Sequence, residues 1–390
     1  MLKQLHFCRI GAIAAANFAF FLLLASARAQ TPSAAQLNAI FSQVVTAPNQ
    51  PGLAVLLRQN GRTLFERGYG MRDLRSNLPI DARTNFRLAS CTKQFTAMAI
   101  MLLVHDGKLR YDETLADVFP EFPAYGRTIT IRNLLNHTSG LVAYEDLMDK
   151  TYAGKEWYEI PQITDAQVLA LAEKQTGKKF PPGTKWEYSN GGYCILAMIV
   201  EKVSGMPFAQ FLRQRIFAPL HMDHTVAHAY GEDTVANRAY GYTNDSDVWL
   251  ETDQSPTSAT LGDGGIYSSL DDLAKWDDAL RNQTLLSAAE FQPAITPENS
   301  AAVSPSAVDD LPKAAAANEQ PLAYGFGWFL DPYRGHPRMW HYGSTIGFHS
   351  IIERFTKDNL SIIILSNRTD VDLAALALRA VDLYFIPKSR

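Results

Sequence analysis

The sequence predicts an α/β (α+β) chain: one antiparallel sheet built from both chain ends and flanked by terminal helices, with a mostly helical lobe inserted in the middle. Three observations lead there. Short apolar runs bounded by turn residues mark strands near the start, at 53–69, and again in quick succession after Tyr324. Between them, from about Tyr111 to Leu261, lie helical segments and long loops rich in Pro, Gly and aromatic residues. With 47% hydrophobic and 19% charged residues among 390, the chain can also bury a large core, which excludes global disorder.

Each element has a local reason. Lys3 and Arg9 precede an apolar run of about 16 residues, Ile10 to Ala25, and small residues stand at Ala27 and Ala29. The run is shorter than the ~20 residues needed to cross a bilayer. Residues 1–29 are therefore expected to be a secretory signal peptide cleaved after Ala29, making the protein secreted or periplasmic. Leu53–Leu57, a Gln59-Asn60-Gly61 turn and Thr63–Tyr69 form a hairpin. Phe95–Val104 is apolar on nearly every face and stops at Gly107, as a buried central helix should. Helices are expected at Ile131–Asn136, Asp165–Gln175, Gly192–Val203 and Pro207–Ile216. Leu270–Leu280 is a helix capped by Ser269, with Asp271 and Asp272 in its first turn. Glu298–Gln320, rich in Ala, Ser and Pro, reads as a mobile loop. Strands follow at Tyr324–Leu330, Arg338–Tyr342, Phe348–Phe355 and Leu360–Leu365, and Leu373–Tyr384 closes the chain as an amphipathic helix. The expected organisation is one unit, 30–390, with a sheet lobe of about 30–90 and 265–390 and a helical lobe of about 91–264.

Composition narrows the function. With 36 Lys+Arg against 40 Asp+Glu, the net charge of −4 argues against a nucleic-acid binder. Three cysteines cannot staple a fold of this size. Signal cleavage removes Cys8 and leaves Cys91 and Cys194, expected as two small buried thiols, although export would permit a disulfide.

A serine hydroxyl attacks only when a neighbour takes its proton. No Gly-x-Ser-x-Gly elbow is present. Ser90-Cys91-Thr92-Lys93 is the single Ser-x-x-Lys in the chain, a spacing that places both side chains one helical turn apart. It opens the buried helix, where burial and the helix dipole disfavour positive charge and leave an amine able to act as base. The bland reading is a capping Ser90 and a Lys93 that snorkels to water. Tyr188-Ser189-Asn190 stands on a turn leading into a helix and can present two polar tips to one cavity; Tyr242-Thr243-Asn244 repeats the pattern in a polar stretch expected to be a solvated loop. His341-Tyr342-Gly343-Ser344 ends a strand, and its glycine lets backbone approach a ligand.

Ser-x-x-Lys, Tyr-x-Asn and a strand motif ending in Gly, in that order, resemble the serine β-lactamase and penicillin-binding-protein family: class C β-lactamases with their D-aminopeptidase and esterase-like relatives. Phe86–Ser90, Asn136–Leu141, Pro181–Thr184, Gly264–Ser268 and Tyr324–Trp328 also resemble family signatures. The resemblance spans the chain from about Leu53 to the final helix and implies the β-lactamase/transpeptidase-like fold and acyl transfer without a cofactor. It implies Ser90 as nucleophile, Lys93 as its proton acceptor and Tyr188 as proton shuttle. Asn190 would hold Lys93 and substrate, His341 and Gly343 would border the substrate, and the N–H groups of Ser90 and Ser344 would form the oxyanion hole. His137, in Asn-His-Thr-Ser-Gly, matches a structural signature and is left out of the site.

One departure bears on substrate. The β-lactamases carry Lys-Thr-Gly where this chain has His341-Tyr342-Gly343, and a His is only partly charged near pH 7. That variant resembles the D-aminopeptidase and esterase-like members. His221, His224 and His228 have a spacing that could offer metal ligands, but they follow a segment resembling a metal-free family loop, so no metal is expected. The sequence thus points to a serine hydrolase acting on a small acyl or D-peptide substrate, an ester or a D-amino-acid amide. A class C-type β-lactamase, a D,D-carboxypeptidase or a non-turnover penicillin or peptidoglycan sensor are the alternatives. No membrane span after cleavage is expected, and oligomeric state is left open.

Overall fold

The computed structural model describes residues 32–228, 234–297, 303 and 322–385. The signal-peptide expectation and, apart from Val303, the Glu298–Gln320 loop lie outside them.

Seven strands form the main sheet: β1 (Leu53–Gln59), β2 (Arg62–Tyr69), β3 (Ala323–Tyr324), β4 (Phe329–Tyr333), β5 (His336–Thr345), β6 (Phe348–Phe355) and β7 (Leu360–Ser366). Their order is β3-β4-β5-β6-β7-β1-β2, antiparallel throughout. The two chain ends meet where β1 pairs with β7, Leu53 opposite Ser366 and Gln59 opposite Leu360. The β1–β2 turn uses positive φ at both Asn60 and Gly61, as a two-residue hairpin with the right twist requires.

Among the described residues, the helices of eight or more residues are α1 (Ala34–Phe41), α2 (Lys93–His105), α3 (Tyr144–Thr151), α4 (Asp165–Glu173), α5 (Asn190–Ser204), α6 (Leu270–Asn282) and α7 (Leu373–Phe385). Strands β1 and β7 are apolar at nearly every position because helices cover both faces of the sheet. Leu53, Val55, Leu57, Ile362 and Ile364 join the core that includes Leu37, Phe41 and Ala377 of the terminal helices. Ala54, Leu56, Ile363 and Leu365 join the core built on α2, α5 and α6. Helix α2 is buried from Lys93 to Leu103, which accounts for its apolar character on every side. It ends at Gly107 with φ +68, and the Gly107 and Lys108 N–H groups close its last carbonyls. Ser269 caps α6 as expected, its side chain accepting from the Asp272 N–H.

Four expectations are corrected. Tyr324–Leu330 is two strands, because Gly325–Trp328 turns back on itself and Gly325 N–H donates to Trp328 O. That turn lies against α2: a Cβ on Gly327 (φ +77) would sit 2.7 Å from Lys93 O. Tyr242-Thr243-Asn244 is a strand, Tyr242–Asp245, paired with Val248–Glu251; Tyr242 is buried and its hydroxyl accepts from Leu74 N–H. The Pro207–Ile216 helix is Phe208–Leu212 followed by a π-turn, Arg213–Phe217. Finally, Ser90 and Cys91 occupy a 3₁₀ turn, Ala89–Thr92, rather than the helix itself. Cys91 and Cys194 are free and buried. Among the described residues, no single helix is long and apolar enough to cross a membrane.

Three adjacent strands share a buried ion cluster. Arg338 on β5 bonds Asp331 on β4 (2.8 Å) and Glu353 on β6 (3.1 Å), and Trp340 Nε1 donates to Asp331. All three charged side chains are essentially sealed from water. Arg338→Met would leave two buried carboxylates uncompensated, and we expect a loss of about 3–5 kcal/mol in urea unfolding. A loss below about 1 kcal/mol would mean that the carboxylates find other partners.

Candidate active site

The site assembles from three chain segments. The first is the turn ahead of α2. Strand Phe86–Arg87 pairs with Ile266–Ser268, and the chain then enters the Ala89–Thr92 turn with Ala89 at φ +46, a conformation costly for a residue with a Cβ. Ser90 does not cap α2; no side chain does. Instead Lys93, one turn later and 0% exposed, directs its amine to three acceptors: Ser90 Oγ at 3.0 Å, Asn190 Oδ1 at 2.9 Å and Asp263 O at 3.0 Å. The snorkelling alternative is thereby excluded.

The second segment is the turn into α5. Ser189 caps that helix by accepting from Gly192 N–H at 3.1 Å. Its own N–H donates to His137 Nδ1 at 3.1 Å, and the His137 ring lies 4.3 Å from that of Tyr188. His137, omitted by sequence reasoning, thus supports the turn that carries Tyr188 and Asn190. The Tyr188 ring is 4.9 Å from Lys93 Nζ, and its hydroxyl interacts with Ser90 and Lys93. Burial raises the Tyr188 pKa above its ordinary value, against the opposing pull of Lys93 and Ser90, so the phenol is protonated at neutral pH.

The third segment is β5. A Cβ on Gly343 would lie 2.2 Å from Leu88 O, 2.4 Å from Ser350 Oγ and 3.1 Å from Ser90 N, so the strand seats against the Ser90 turn only because glycine stands there. Cys91 Sγ donates to His341 O, and Ser350 Oγ to Leu88 O, stitching turn to sheet. Ser344 lines the cleft beside Ser90. His341 does not. It is 1% exposed, its Nδ1 faces Tyr342 O at 2.7 Å and its Nε2 faces the Tyr324 hydroxyl at 2.9 Å. A carbonyl only accepts, so the ring proton is on Nδ1 and Nε2 accepts from Tyr324. Burial, with Lys93 nearby, drives its pKa down to about 3. The partial charge expected near pH 7 is therefore corrected: His341 is neutral there, and both of its nitrogens are engaged.

The cleft above these groups has a volume of about 140 Å³, with Ser90, Glu145, Asn190, Asp263, Ser344 and Thr345 in its lining. A larger hollow of about 680 Å³ near Phe217 and Val226 holds none of the candidate site residues. Glu145 escaped the sequence reading. It stands beside Asp146 in the first turn of α3, where acidic residues serve the helix dipole, and nothing in sequence separates the two. Glu145 Oε1 accepts from Asn190 Nδ2 at 2.9 Å, which completes a chain from Ser90 through Lys93 and Asn190.

Asp165, Cys194 and Asp263 bring possible metal-ligand atoms within 4.8 Å of one another. Asp165 is already engaged as an anchor, accepting the N–H groups of Leu261 (2.8 Å) and Gly262 (3.2 Å) and so fixing the loop whose Asp263 carbonyl meets Lys93. Burial, and then Asp263, raise its pKa to about 7. Among the described residues, His221, His224 and His228 form no such group.

The model of the Beta-lactamase family matches residues 37–384, and the chain belongs to that family. Penicillin-binding protein 4* of Bacillus subtilis (strain 168) is 31% identical over 342 residues, covering 84% of this chain and 71% of the relative. The octameric penicillin-binding protein homologue from Pyrococcus abyssi superposes with a TM-score of 0.76 at 24% identity, over 90% of this chain and 77% of that one. The D-amino acid amidase from Ochrobactrum anthropi SV3, solved with D-phenylalanine, gives 0.70 at 24% identity over 90% and 98%. These likenesses share the mixed fold with its antiparallel sheet, and the chain is a serine hydrolase of the β-lactamase and penicillin-binding type.

Two outcomes follow from the geometry. Gly343→Ala should cost about 1–3 kcal/mol and slow modification of Ser90 by a fluorophosphonate, because the added methyl displaces Leu88 or Ser350; an unchanged labelling rate would show that β5 does not seat Ser90. His341 takes up its proton only near pH 3 when folded, whereas the unfolded chain binds one from about 6.5. Its contribution to stability is therefore complete above 6.5 and lost as pH falls toward 3. Melting temperatures of His341→Leu should fall less steeply than wild type across that window, and equal slopes would refute a neutral buried His341.

Proposed function

We propose that the chain is an exported enzyme that hydrolyses an ester or a D-amino-acid amide through an acyl-enzyme on Ser90. The observation that carries this reading is the buried amine of Lys93 set 3.0 Å from Ser90 Oγ, with the Tyr188 ring 4.9 Å from the same amine.

In the reactive form the Lys93–Tyr188 pair is short of one proton; Ser90 Oγ attacks the substrate carbonyl carbon, and its proton passes to that pair. The carbonyl oxygen takes the negative charge and is held by the Ser90 and Ser344 N–H groups. The C–N or C–O bond then breaks, and Tyr188 returns the proton to the leaving amine or alcohol. Water attacks the ester so formed, gives its proton to the same pair, and Ser90 Oγ leaves as the hydroxyl. Asn190 keeps Lys93 oriented throughout.

The neutral His341 favours ester and aminoacyl substrates over β-lactams. A β-lactam carboxylate wants a positive partner at this motif, and His341 supplies none. The likeness to the amidase solved with D-phenylalanine supports the same choice. The relation to a penicillin-binding protein keeps nitrocefin and D-Ala-D-Ala peptide in the test. Turnover is expected on a p-nitrophenyl ester or a D-amino-acid p-nitroanilide, with slow or no nitrocefin hydrolysis. Ser90→Ala should abolish turnover and labelling by a fluorophosphonate or a fluorescent penicillin. Labelling that persists in Ser90→Ala would sink the assignment, and fast nitrocefin turnover would overturn the substrate preference. N-terminal sequencing of exported protein should begin at Gln30.

A further inference from the structure

We infer that Asp165, Cys194 and Asp263 form a buried site for a thiophilic divalent cation such as Zn²⁺, which clamps together elements that hold Lys93. The site is structural and stands apart from the acyl-enzyme chemistry.

The three side chains come from three elements. Asp165 opens α4, Cys194 lies in α5, and Asp263 follows the Leu261-Gly262 loop that Asp165 anchors. Each offers one ligand atom, and these atoms all lie within 4.8 Å of one another. A triangle with no side longer than 4.8 Å has a point within about 2.8 Å of all its corners. Zn²⁺ binds thiolate sulfur at about 2.3 Å and carboxylate oxygen at about 2.0–2.2 Å, so a shift of less than about 1 Å by each ligand closes the shell. Water completes four-coordination.

Two observations set this cluster apart from an ordinary group of acids. Asp263 is 7% exposed, and its Oδ1 is buried without a hydrogen-bond partner. An unpaired buried carboxylate oxygen is costly, and a cation among the three side chains supplies what it lacks. The Lys93 amine does not serve it, because its three N–H groups go to Ser90, Asn190 and the main-chain oxygen of Asp263. The second observation is chemical. Cys194 is a free thiol, fully buried against two carboxylates, and sulfur beside oxygen suits Zn²⁺ rather than Ca²⁺ or Mg²⁺. On coordination the thiol gives its proton to solvent and binds as thiolate. Anchoring the loop does not exhaust Asp165. Its two oxygens accept one N–H each, from Leu261 and Gly262, and a carboxylate has about four acceptor positions.

Placement gives the site an entry and a consequence. Asp263 lines the cleft, so an ion reaches the cluster from there. Cys194 is one turn beyond Asn190 on α5, and both Asn190 and the Asp263 carbonyl accept from Lys93. A cation bound here ties α4, α5 and the loop together, and with them two of the three acceptors of that amine.

The test is a titration of chelator-treated protein with Cd²⁺, whose ultraviolet charge-transfer band reports a bound thiolate, followed by competition with Zn²⁺. One equivalent of Cd²⁺ should produce the band in wild type, and Zn²⁺ should remove it. Cys194→Ser should lack the band, and Asp263→Asn should weaken binding by at least roughly 10-fold. No band in wild type overturns the inference. So does a band that persists in Cys194→Ser, since Cys8 and Cys91 remain there. Wild-type crystals soaked in ZnCl₂ and measured at the zinc absorption edge need no variant. An anomalous peak among the three side chains is expected, and zinc found only elsewhere sinks the site. Zn²⁺ should also raise the melting temperature of wild type more than that of Asp263→Asn, and equal rises would refute the clamp.

Discussion

The buried amine of Lys93 is the constraint around which the rest is arranged. Taking a cation out of water is costly unless each of its donors finds an oxygen. Here the three acceptors come from three places: the turn before α2, the first residue of α5 and the loop that Asp165 anchors. Among the described residues, no carboxylate bonds the amine directly. Glu145 reaches it through Asn190, and Asp263 offers a carbonyl rather than its side chain.

The same arrangement explains the aromatic floor beneath the site. Tyr188 stands among His137, Trp186, Tyr324 and Phe329, with ring centroids 4.3 to 6.4 Å away. Such packing removes the freedom of the Tyr188 side chain. Tyr324 also saturates His341, so one buried phenol holds β5 and braces Tyr188.

Much of this was legible in sequence because the physics was local. The hairpin at Asn60-Gly61, the apolar α2 and the Ser269 cap depend on neighbouring residues, and all appear as read. Ser-x-x-Lys and Tyr-x-Asn were readable too, since the spacing of each within a single turn of backbone determines where its tips go. The rest depended on partners distant in the chain. The break after Tyr324 arises because Gly325 and Gly327 press on Ala294 and Lys93. The state of His341 depends on Tyr324, 17 residues away. Glu145 is set apart from Asp146 only by Asn190, 45 residues on. The resemblance to a family with a charged residue at the third motif directed attention to His341 as a ligand contact, whereas burial makes it part of the scaffold.

The pairing of β1 with β7 has a consequence for the order of events in the cell. Residues 53–59 are among the first of the described chain to be synthesised, yet the strand they pair with, 360–366, is among the last. The Ser90 turn leans on β5 and β6, which reach β1 only through β7. Contacts so far apart in sequence are slow to form and bring little reward until the chain is nearly whole. Ser90 therefore gains its setting late: on the acyl-enzyme proposal, a nascent chain that already carries Ser90 and Lys93 would still be chemically silent, and competence would arrive with the closing of the sheet.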